Sequence, residues 1–204
     1  MEKKFYFGKI ELVVLPEVYG PREDSMLLAK AVSAKKNSKA LDMGTGSGIQ
    51  ALNMAISGAD VLATDINESA IENAMQNAEK LNLGKKIKFL KSNLFQKIPE
   101  TEKFDLIVFN PPYVPCGEIK FIESDGGKNG REILDKFLKE FPKHLKKSGK
   151  CFFLQSSLNG IEKTEKILKK EKFGFEIAAR EKLFFEELVV FECSKRSENK
   201  NSEF

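Results

Sequence analysis

Histidine and cysteine are scarce in this chain, which contains one histidine and three cysteines among 204 residues. Cys116, Cys151 and Cys193 are scattered and have no zinc-ligand spacing, so we expect neither a disulfide framework nor a zinc site. No histidine partner is evident for Cys116, and we interpret it as a small loop residue. His144 lies on a basic amphipathic stretch, where we predict a helix-face position. A Ser-His-Asp or metal-based mechanism has little support, and we predict no metal ligands.

Long hydrophobic runs are also missing. No stretch approaches the ~18 apolar residues of a membrane span, and residues 1–5 lack the apolar core of a signal peptide. We therefore expect a cytoplasmic protein with no membrane partner. The hydrophobic fraction of 41% and the charged fraction of 31% are typical of a soluble globular protein. We predict a single domain over residues 1–193 and a disordered polar tail over residues 194–204.

Short apolar runs that favour buried strands alternate with segments of helical periodicity. The predicted strands cover residues 39–43, 60–65, 86–90, 104–109 and 150–155, followed by a pair at 175–180 and 188–192. Strands joined by crossover helices predict an α/β protein with a mainly parallel sheet, helices on both faces and a C-terminal antiparallel hairpin.

Polar residues mark the expected helix starts. Asn67 and Asn159 each precede an amphipathic segment and are predicted N-caps. Asn129 and Glu132 have the spacing of a capping box. Pro142 is expected to kink or interrupt the helix that follows.

A glycine-rich turn follows the first predicted strand. Gly44, Gly46 and Gly48 lead into a helix, and such a turn lets a ligand approach the backbone and the free N–H groups of the helix end. Ile49 stands where dinucleotide-binding enzymes have a third glycine, so the spacing is not theirs. Asp65 ends the next strand, where a carboxylate can accept hydrogen bonds from a ribose. Together these residues predict a nucleoside-binding site.

The segment Asn110-Pro111-Pro112-Tyr113 follows the strand at 104–109. A polar side chain at the carboxyl end of a parallel strand lies where open α/β sheets bind ligands. Asn110 offers both an acceptor and a donor, and the prolines remove two backbone donors. With the aromatic ring, the segment predicts a receptor for a flat, neutral group that carries an NH2.

Five segments together resemble the class I methyltransferases that use S-adenosylmethionine, and more closely the HemK-type glutamine N5-methyltransferases. They are residues 41–48, 65–67, 110–115, 19–25 and 126–132. The last two are similar to the short archaeal and eukaryotic branch, whose members act on release factors. The resemblance implies a Rossmann-like seven-stranded fold. Bacterial members carry an extra N-terminal helical domain, for which we expect no counterpart here.

The resemblance also implies roles for individual residues. The implied cofactor-binding residues are Ser25, Asp42, Gly44, Gly46, Gly48, Asp65, Ile66, Asn93 and Asn110. Asp65 would hold the ribose, and Ser25, together with the adjacent carboxylates, would approach the amino-acid end of the cofactor. Asn93, where many relatives have aspartate, could still accept a bond from the adenine amino group. Asp42 would stabilise the glycine turn or meet the cofactor ammonium.

The implied catalytic residues are Asn110, Pro111 and Tyr113. The Asn110 side-chain oxygen and the Pro111 carbonyl would each accept one N–H of the target NH2, and Tyr113 would pack against the amide plane. Good alignment can supply ~7–11 kcal/mol, so little help from a base is needed. No residue of the sequence stands out as that base.

Asn110 cannot by itself distinguish a glutamine amide from the exocyclic amine of a nucleic-acid base. An RNA or DNA amine methyltransferase therefore stays an alternative, and the net charge of +4 permits a nucleic-acid partner without requiring one. The resemblance favours the glutamine of the Gly-Gly-Gln loop in a class 1 translation release factor. It also implies a heterodimer with a small zinc-binding activator protein, which would add a strand to the sheet edge at residues 87–90.

Overall fold

The computed structural model describes residues 3–121 and 123–196, which form nine β-strands and five α-helices. The strands are β1 (Lys3–Phe7), β2 (Ile10–Val14), β3 (Lys39–Met43), β4 (Asp60–Asp65), β5 (Ile87–Lys91), β6 (Phe104–Phe109), β7 (Leu145–Ser156), β8 (Phe173–Lys182) and β9 (Glu187–Lys195). The helices are α1 (Glu23–Ala31), α2 (Ile49–Ile56), α3 (Glu68–Lys80), α4 (Glu132–His144) and α5 (Ile161–Lys170). None of the helices in these two ranges has the length and hydropathy that crossing a bilayer requires.

Seven strands form one sheet in the order β5-β4-β3-β6-β7-β9-β8. The first five run parallel, and β9 is antiparallel to both β7 and β8. This confirms the predicted mainly parallel sheet with its C-terminal hairpin. The chain order reverses between β3 and β6, which is the place where open α/β sheets form a ligand crevice at their carboxyl ends.

Both faces of the sheet are covered, because alternate residues of the central strands face opposite helix layers. Leu106 and Val108 of β6 pack in the cluster that contains residues of α1 and α2. Ile107 and Phe109 pack in the second cluster, with residues of α4 and α5. There the rings of Phe109 and Phe137 lie 4.6 Å apart. Each phenyl group buried in this way contributes roughly 1.5–3 kcal/mol before entropy is counted.

The N-terminal hairpin of β1 and β2 was not predicted. Its second strand is held by two buried asparagines of α3. Val13 N donates to Asn77 Oδ1 at 3.0 Å, and its carbonyl oxygen accepts from Asn73 Nδ2 at 2.7 Å and from Asn77 Nδ2 at 2.9 Å. β2 pairs with β1 along one edge, and these side-chain amides bond to Val13 on its other edge, which fixes where the chain continues toward α1.

The structure confirms one of the expected helix caps and corrects three other expectations about the helices. Asn67 caps α3 as predicted, since its side chain accepts from Ser69 N. Asn129 is not a cap: it has φ 60° within a 3₁₀ turn that precedes α4. Asn159 ends another 3₁₀ turn, and the N-cap of α5 is Gly160. Pro142 does not interrupt α4, because it lies in the last turn of that helix.

The predicted tail, residues 194–204, begins inside β9, which continues to Lys195. Residues 197–204 lie outside the described part of the chain. His144 is the last residue of α4, and its buried ring stacks on Phe95 with the centroids 4.5 Å apart. Burial lowers the pKa of His144, so its neutral form is the one that suits this packing.

Candidate active site

A cavity of about 540 Å³ opens at the carboxyl ends of β3, β4 and β6. This volume is in the range of small-molecule and cofactor sites. Of the predicted site residues, the cavity wall contains Ser25, Gly44, Gly46, Asp65, Ile66, Asn93, Asn110, Pro111 and Tyr113. Asp42 and Gly48, two predicted cofactor contacts, are not among the residues that line it. The fold therefore brings together residues that are widely separated in the sequence.

The glycine turn needs backbone conformations that side chains rarely adopt. Gly44, Gly46 and Gly48 have φ of 64°, 53° and 91°. A Cβ on Gly46 would meet no atom within 4 Å, so this glycine presents bare backbone to the cavity. A Cβ on Gly48 would lie 3.1 Å from Ala74 Cβ. Gly48 thus serves the close packing of the turn against α3.

Asp42 lies beneath the turn and is only 1% exposed. Its Oδ2 accepts from Thr45 Oγ1 at 2.7 Å and from Ala51 N at 3.0 Å. Burial raises the pKa of Asp42 to about 7, although these two hydrogen bonds oppose the change. Asp42 was expected either to stabilise the glycine turn or to meet the cofactor ammonium. The hydrogen bonds in the structure are those of the turn-stabilising role.

Asp65 stands at the end of β4 on the cavity wall. Its Oδ2 accepts from Gly46 N at 2.9 Å, and its Oδ1 accepts from Asn67 N at 2.9 Å. Burial raises the pKa of Asp65 despite these hydrogen bonds. Each carboxylate oxygen has two lone-pair directions, so the backbone bonds leave capacity for ligand hydroxyl groups. Ile66 is 42% exposed beside it.

Asn110 follows β6 and is bound through its amide nitrogen. Asn110 Nδ2 donates to Asp24 Oδ2 at 3.1 Å and to Ser25 Oγ at 3.4 Å. Asn110 Oδ1 is buried and has no hydrogen-bond partner among the described residues. A buried carbonyl oxygen without a donor costs roughly 1–3 kcal/mol, so a ligand N–H that reached this atom would be strongly favoured.

Asp24 was expected only as one of the carboxylates adjacent to Ser25, near the amino-acid end of the cofactor, and its hydrogen bond with Asn110 was not predicted. It lies in the first turn of α1 and is 2% exposed. Besides the bond from Asn110, its carboxylate accepts from Tyr19 Oη at 3.2 Å and from Ser25 N at 2.6 Å. A carboxylate at a helix start suits the helix dipole, and this is the signal in residues 23–25 that could have identified it.

Tyr113 is half-buried on the cavity wall. Burial, and then the charge of Asp24, raise the pKa of its hydroxyl well above the ordinary value of 10. The hydroxyl therefore keeps its proton at physiological pH. The side chain then offers an uncharged aromatic surface that can pack against a planar amide.

A glycine-rich loop and one asparagine support the backbone of the segment 110–113. Asn159 Nδ2 donates to the Tyr113 carbonyl at 2.9 Å. A Cβ on Gly126 would lie 2.7 Å from the Pro112 carbonyl oxygen, and a Cβ on Gly130 would overlap the Tyr113 carbonyl oxygen. The side chain of Arg131 donates to the Asn159 carbonyl and pairs with Asp135 at 2.7 Å. These supporting residues were not predicted as a group, because sequence spacing does not show which loop lies behind another.

In the two described ranges, no group of three or more histidine, cysteine, aspartate or glutamate side chains could hold a metal ion. Cys151 and Cys193 are buried thiols on paired strands, and Cys116 is half-buried in the loop after Tyr113. The site is therefore built from carboxylates, amides and backbone groups.

The sheet order, the glycine turn over β3 and the asparagine after β6 define a class I methyltransferase. Residues 10–185 match the Methyltransferase small domain model, and the chain belongs to that family. It is 46% identical over 188 residues to a protein of Methanocaldococcus jannaschii that is provisionally named a protein N5-glutamine methyltransferase, covering 89% of this chain and 93% of the relative. It is 30% identical over 161 residues to the release factor glutamine methyltransferase of Gloeobacter violaceus, covering 71% of this chain but only 56% of that protein.

Two solved structures share the fold. Mtq2 of E. cuniculi was solved in a complex with Trm112 that is described as responsible for methylation of the termination factor eRF1. It superposes with a TM-score of 0.71 at 24% identity, covering 88% of this chain and 99% of Mtq2. The 16S rRNA N2-guanine methyltransferase of T. thermophilus, in complex with AdoMet and guanosine, gives 0.74 at 22% identity, covering 96% of this chain and 50% of that enzyme. Similarity at these identities establishes the fold.

Proposed function

We propose that this protein transfers a methyl group from S-adenosylmethionine to the side-chain amide nitrogen of a glutamine in the Gly-Gly-Gln loop of a class 1 translation release factor. The observation that carries the proposal is that Asn110 lines the cavity beside the glycine turn while its Oδ1 is buried and has no partner among the described residues. An amide N–H of the substrate supplies the donor that this oxygen lacks.

The chain's own residues fit the methyl donor. The bare backbone at Gly46 accepts close approach, and Asp65 offers carboxylate oxygens to ribose hydroxyls. Asn93 lies on the same wall and can accept from an adenine amino group. Ser25 and the Asp24 carboxylate suit the ammonium end of the amino-acid portion. The donor supplies an electrophilic methyl group on a positively charged sulfur.

Positioning supplies most of the catalytic effect in this site. A glutamine nitrogen is a weak nucleophile, because resonance withdraws its lone pair. Asn110 Oδ1 and the Pro111 carbonyl each accept one N–H, which turns the lone pair toward the methyl carbon. The new N–C bond forms as the S–C bond breaks, the sulfur keeps the bonding pair, and the nitrogen then loses one proton to solvent. Asp24, behind Asn110, favours the positive charge that develops on the nitrogen.

A small activator protein completes the proposal. Among the described residues β5 pairs only with β4, so one edge of the sheet is open. Val61 N donates to the Lys86 carbonyl, and Ser92 N donates to the Asp65 carbonyl. Even-numbered residues of β5 therefore bond to β4, and the backbone groups of Phe89 and Lys91 face the open edge. We assign this edge to a zinc-binding activator that adds a strand.

Of the two aromatic residues near that edge, Phe95 is core, since it is 4% exposed and stacks on His144. Phe89 is only partly buried. The partly buried apolar residues of β5 that could contribute to an activator interface are thus Phe89 and Leu90. A translation factor as substrate also implies that the protein acts in the cytoplasm. The single methyltransferase domain expected over residues 1–193 is proposed to include the rest of β9, which ends at Lys195.

Radiolabelled methyl transfer tests this function. The protein, with and without the activator, is incubated with S-adenosylmethionine and either a purified class 1 release factor or the same factor with its loop glutamine replaced by alanine. Label in the first factor and none in the second is the expected result. Label that enters RNA or DNA and disappears on nuclease treatment, with none in the factor, would replace this function with an exocyclic-amine methyltransferase.

A further inference from the structure

The turn between β8 and β9 presents two nearly fully exposed phenyl groups. Phe184 is 92% exposed and Phe185 is 84% exposed, more than any other large hydrophobic side chain in the described ranges. Leu183 N donates to the Glu186 carbonyl at 2.8 Å, so the two phenylalanines form the tip of a tight turn. Their rings pack edge to face with centroids 4.6 Å apart. We call Phe184 and Phe185 the aromatic tip.

The aromatic tip stands at the mouth of the active-site cavity. Leu183 and Glu186, which flank it on both sides, line the cavity, as does Leu188. At the start of β9, Glu187 N donates to Ser157 Oγ at 3.0 Å, which ties the turn to the 3₁₀ segment that follows β7. The tip is therefore fixed next to the opening, but its phenyl rings lie outside the wall that a glutamine side chain would touch.

We infer that the aromatic tip is a docking element that inserts into an apolar depression on the folded protein substrate, next to its glutamine loop. This inference rests on the proposed function. Exposed aromatic rings are costly in water and are typical anchors of protein interfaces, where each can bury 150–250 Å².

The charge around the tip favours a protein over a nucleic acid. Glu186 follows the rings directly, and Glu187 comes next, paired with Arg180 at 2.8 Å. Residues 180–187 carry three carboxylates and two basic side chains, Arg180 and Lys182, so the turn offers a phosphate backbone no net positive charge. Its small net negative charge suits a lysine- or arginine-bearing surface. The tip also lies on the hairpin of β8 and β9, at the opposite end of the sheet from β5. Substrate and activator would therefore occupy different ends of the sheet.

The test compares the double variant Phe184→Ser, Phe185→Ser with the control Ile56→Ser. Ile56 is also exposed, at 55%, but it ends α2. Steady-state transfer is measured to the folded release factor and to a short peptide of its Gly-Gly-Gln loop, and cofactor affinity is measured by calorimetry. We expect the tip variant to lose about tenfold or more in kcat/KM toward the folded factor, mainly through KM. Transfer to the peptide and cofactor affinity should change less than about twofold, and the control should match wild type.

Three outcomes would overturn the inference. A tip variant that methylates the folded factor as well as wild type would remove the docking role and leave the proposed function intact. An equal loss of kcat/KM toward the peptide and the folded factor would mean that the substitutions act on the cavity and not on docking. A wild-type protein that labels RNA and never the factor would overturn the proposed function, and the docking role with it.

Discussion

The carboxylate of Asp24 lies 3.1 Å from the amide nitrogen of Asn110, although 86 positions separate the two residues in the sequence. This hydrogen bond decides which end of the carboxamide remains for a ligand. Because Asp24 can only accept, the NH2 of Asn110 turns toward it and Oδ1 is left as an acceptor. The first turn of α1 therefore sets the chemical character of the site after β6.

Replacing Asp24 should disturb this orientation in addition to the contact proposed with the cofactor ammonium. We expect Asp24→Ala to lower kcat by roughly tenfold to a hundredfold, which corresponds to the 1.5–3 kcal/mol of a hydrogen bond to a charged group. Asp24→Asn keeps an acceptor oxygen without the charge and should retain more activity. Single-turnover transfer at saturating cofactor is the measurement. Full activity of the alanine variant would show that Asn110 needs no such partner.

Asn110 itself should be needed for turnover and much less for cofactor binding. Asn110→Ala removes the acceptor oxygen that is buried without a partner, and we expect kcat to fall by about a hundredfold or more. Cofactor affinity, measured by calorimetry, should stay within a few-fold of wild type. Asn110→Asp is a useful companion, because its added charge would repel Asp24. An active alanine variant would contradict the proposed role.

Asp42 should give the protein a pH-dependent stability. Burial raises its pKa from 3.8 to about 7 in the folded state. The folded state thus binds the proton more tightly than the unfolded chain does, so this contribution to stability is complete below pH ~4 and is lost as the pH rises through about 7. Asp42→Asn cannot ionise, and between pH 5 and pH 8 we expect wild type to lose about 3 kcal/mol of unfolding free energy relative to this variant.

Urea denaturation at several pH values measures that difference. Asp60→Asn is the matched control, because Asp60 is exposed and, within the described ranges, forms its one ion pair with Lys86 on the surface. Its pH profile should follow that of wild type. Parallel profiles for Asp42→Asn and wild type would mean that Asp42 ionises in the folded protein as easily as in the unfolded chain.

The open edge of β5 gives a test for the activator. The Lys91 N–H faces away from β4, so Lys91→Pro should remove a donor that an added strand would use while leaving the pairing with β4 in place. We expect this variant to lose co-purification with the zinc-binding activator. Lys91→Ala, which only removes the ion pair with Glu68, should keep it. Undiminished binding by the proline variant would place the activator elsewhere.

Three of the central strands match the predictions residue for residue: β3, β4 and β6. Each is a short, mainly apolar segment with a site residue at or directly after its end: Gly44 after β3, Asp65 at the end of β4 and Asn110 after β6. Local pattern suffices to locate such strands. The hairpin of β1 and β2 was missed because β2 is held by Asn73 and Asn77 of α3, a contact without any local signature.

The same distinction between local and long-range contacts explains which residues of the site could be predicted from the sequence. Gly44, Gly46, Asp65 and Asn110 were found because each lies at or shortly after the end of a strand. Asp24 reaches Asn110 only through the tertiary fold. Asn159 looks like a helix cap in sequence, but its amide is committed to the Tyr113 carbonyl and to the Asn129 carbonyl. Its role depends on which loops the fold places beside it.

Gly130 has a consequence for how such an enzyme can change its specificity. With φ of 64° and no room for even a methyl group toward the Tyr113 carbonyl, this position seals the rear of the amine-binding segment. Natural variation or laboratory design that seeks a larger or differently shaped acceptor has no freedom there. Such a change in specificity has to come from the cavity side of the segment, through Tyr113 or the loop that follows it.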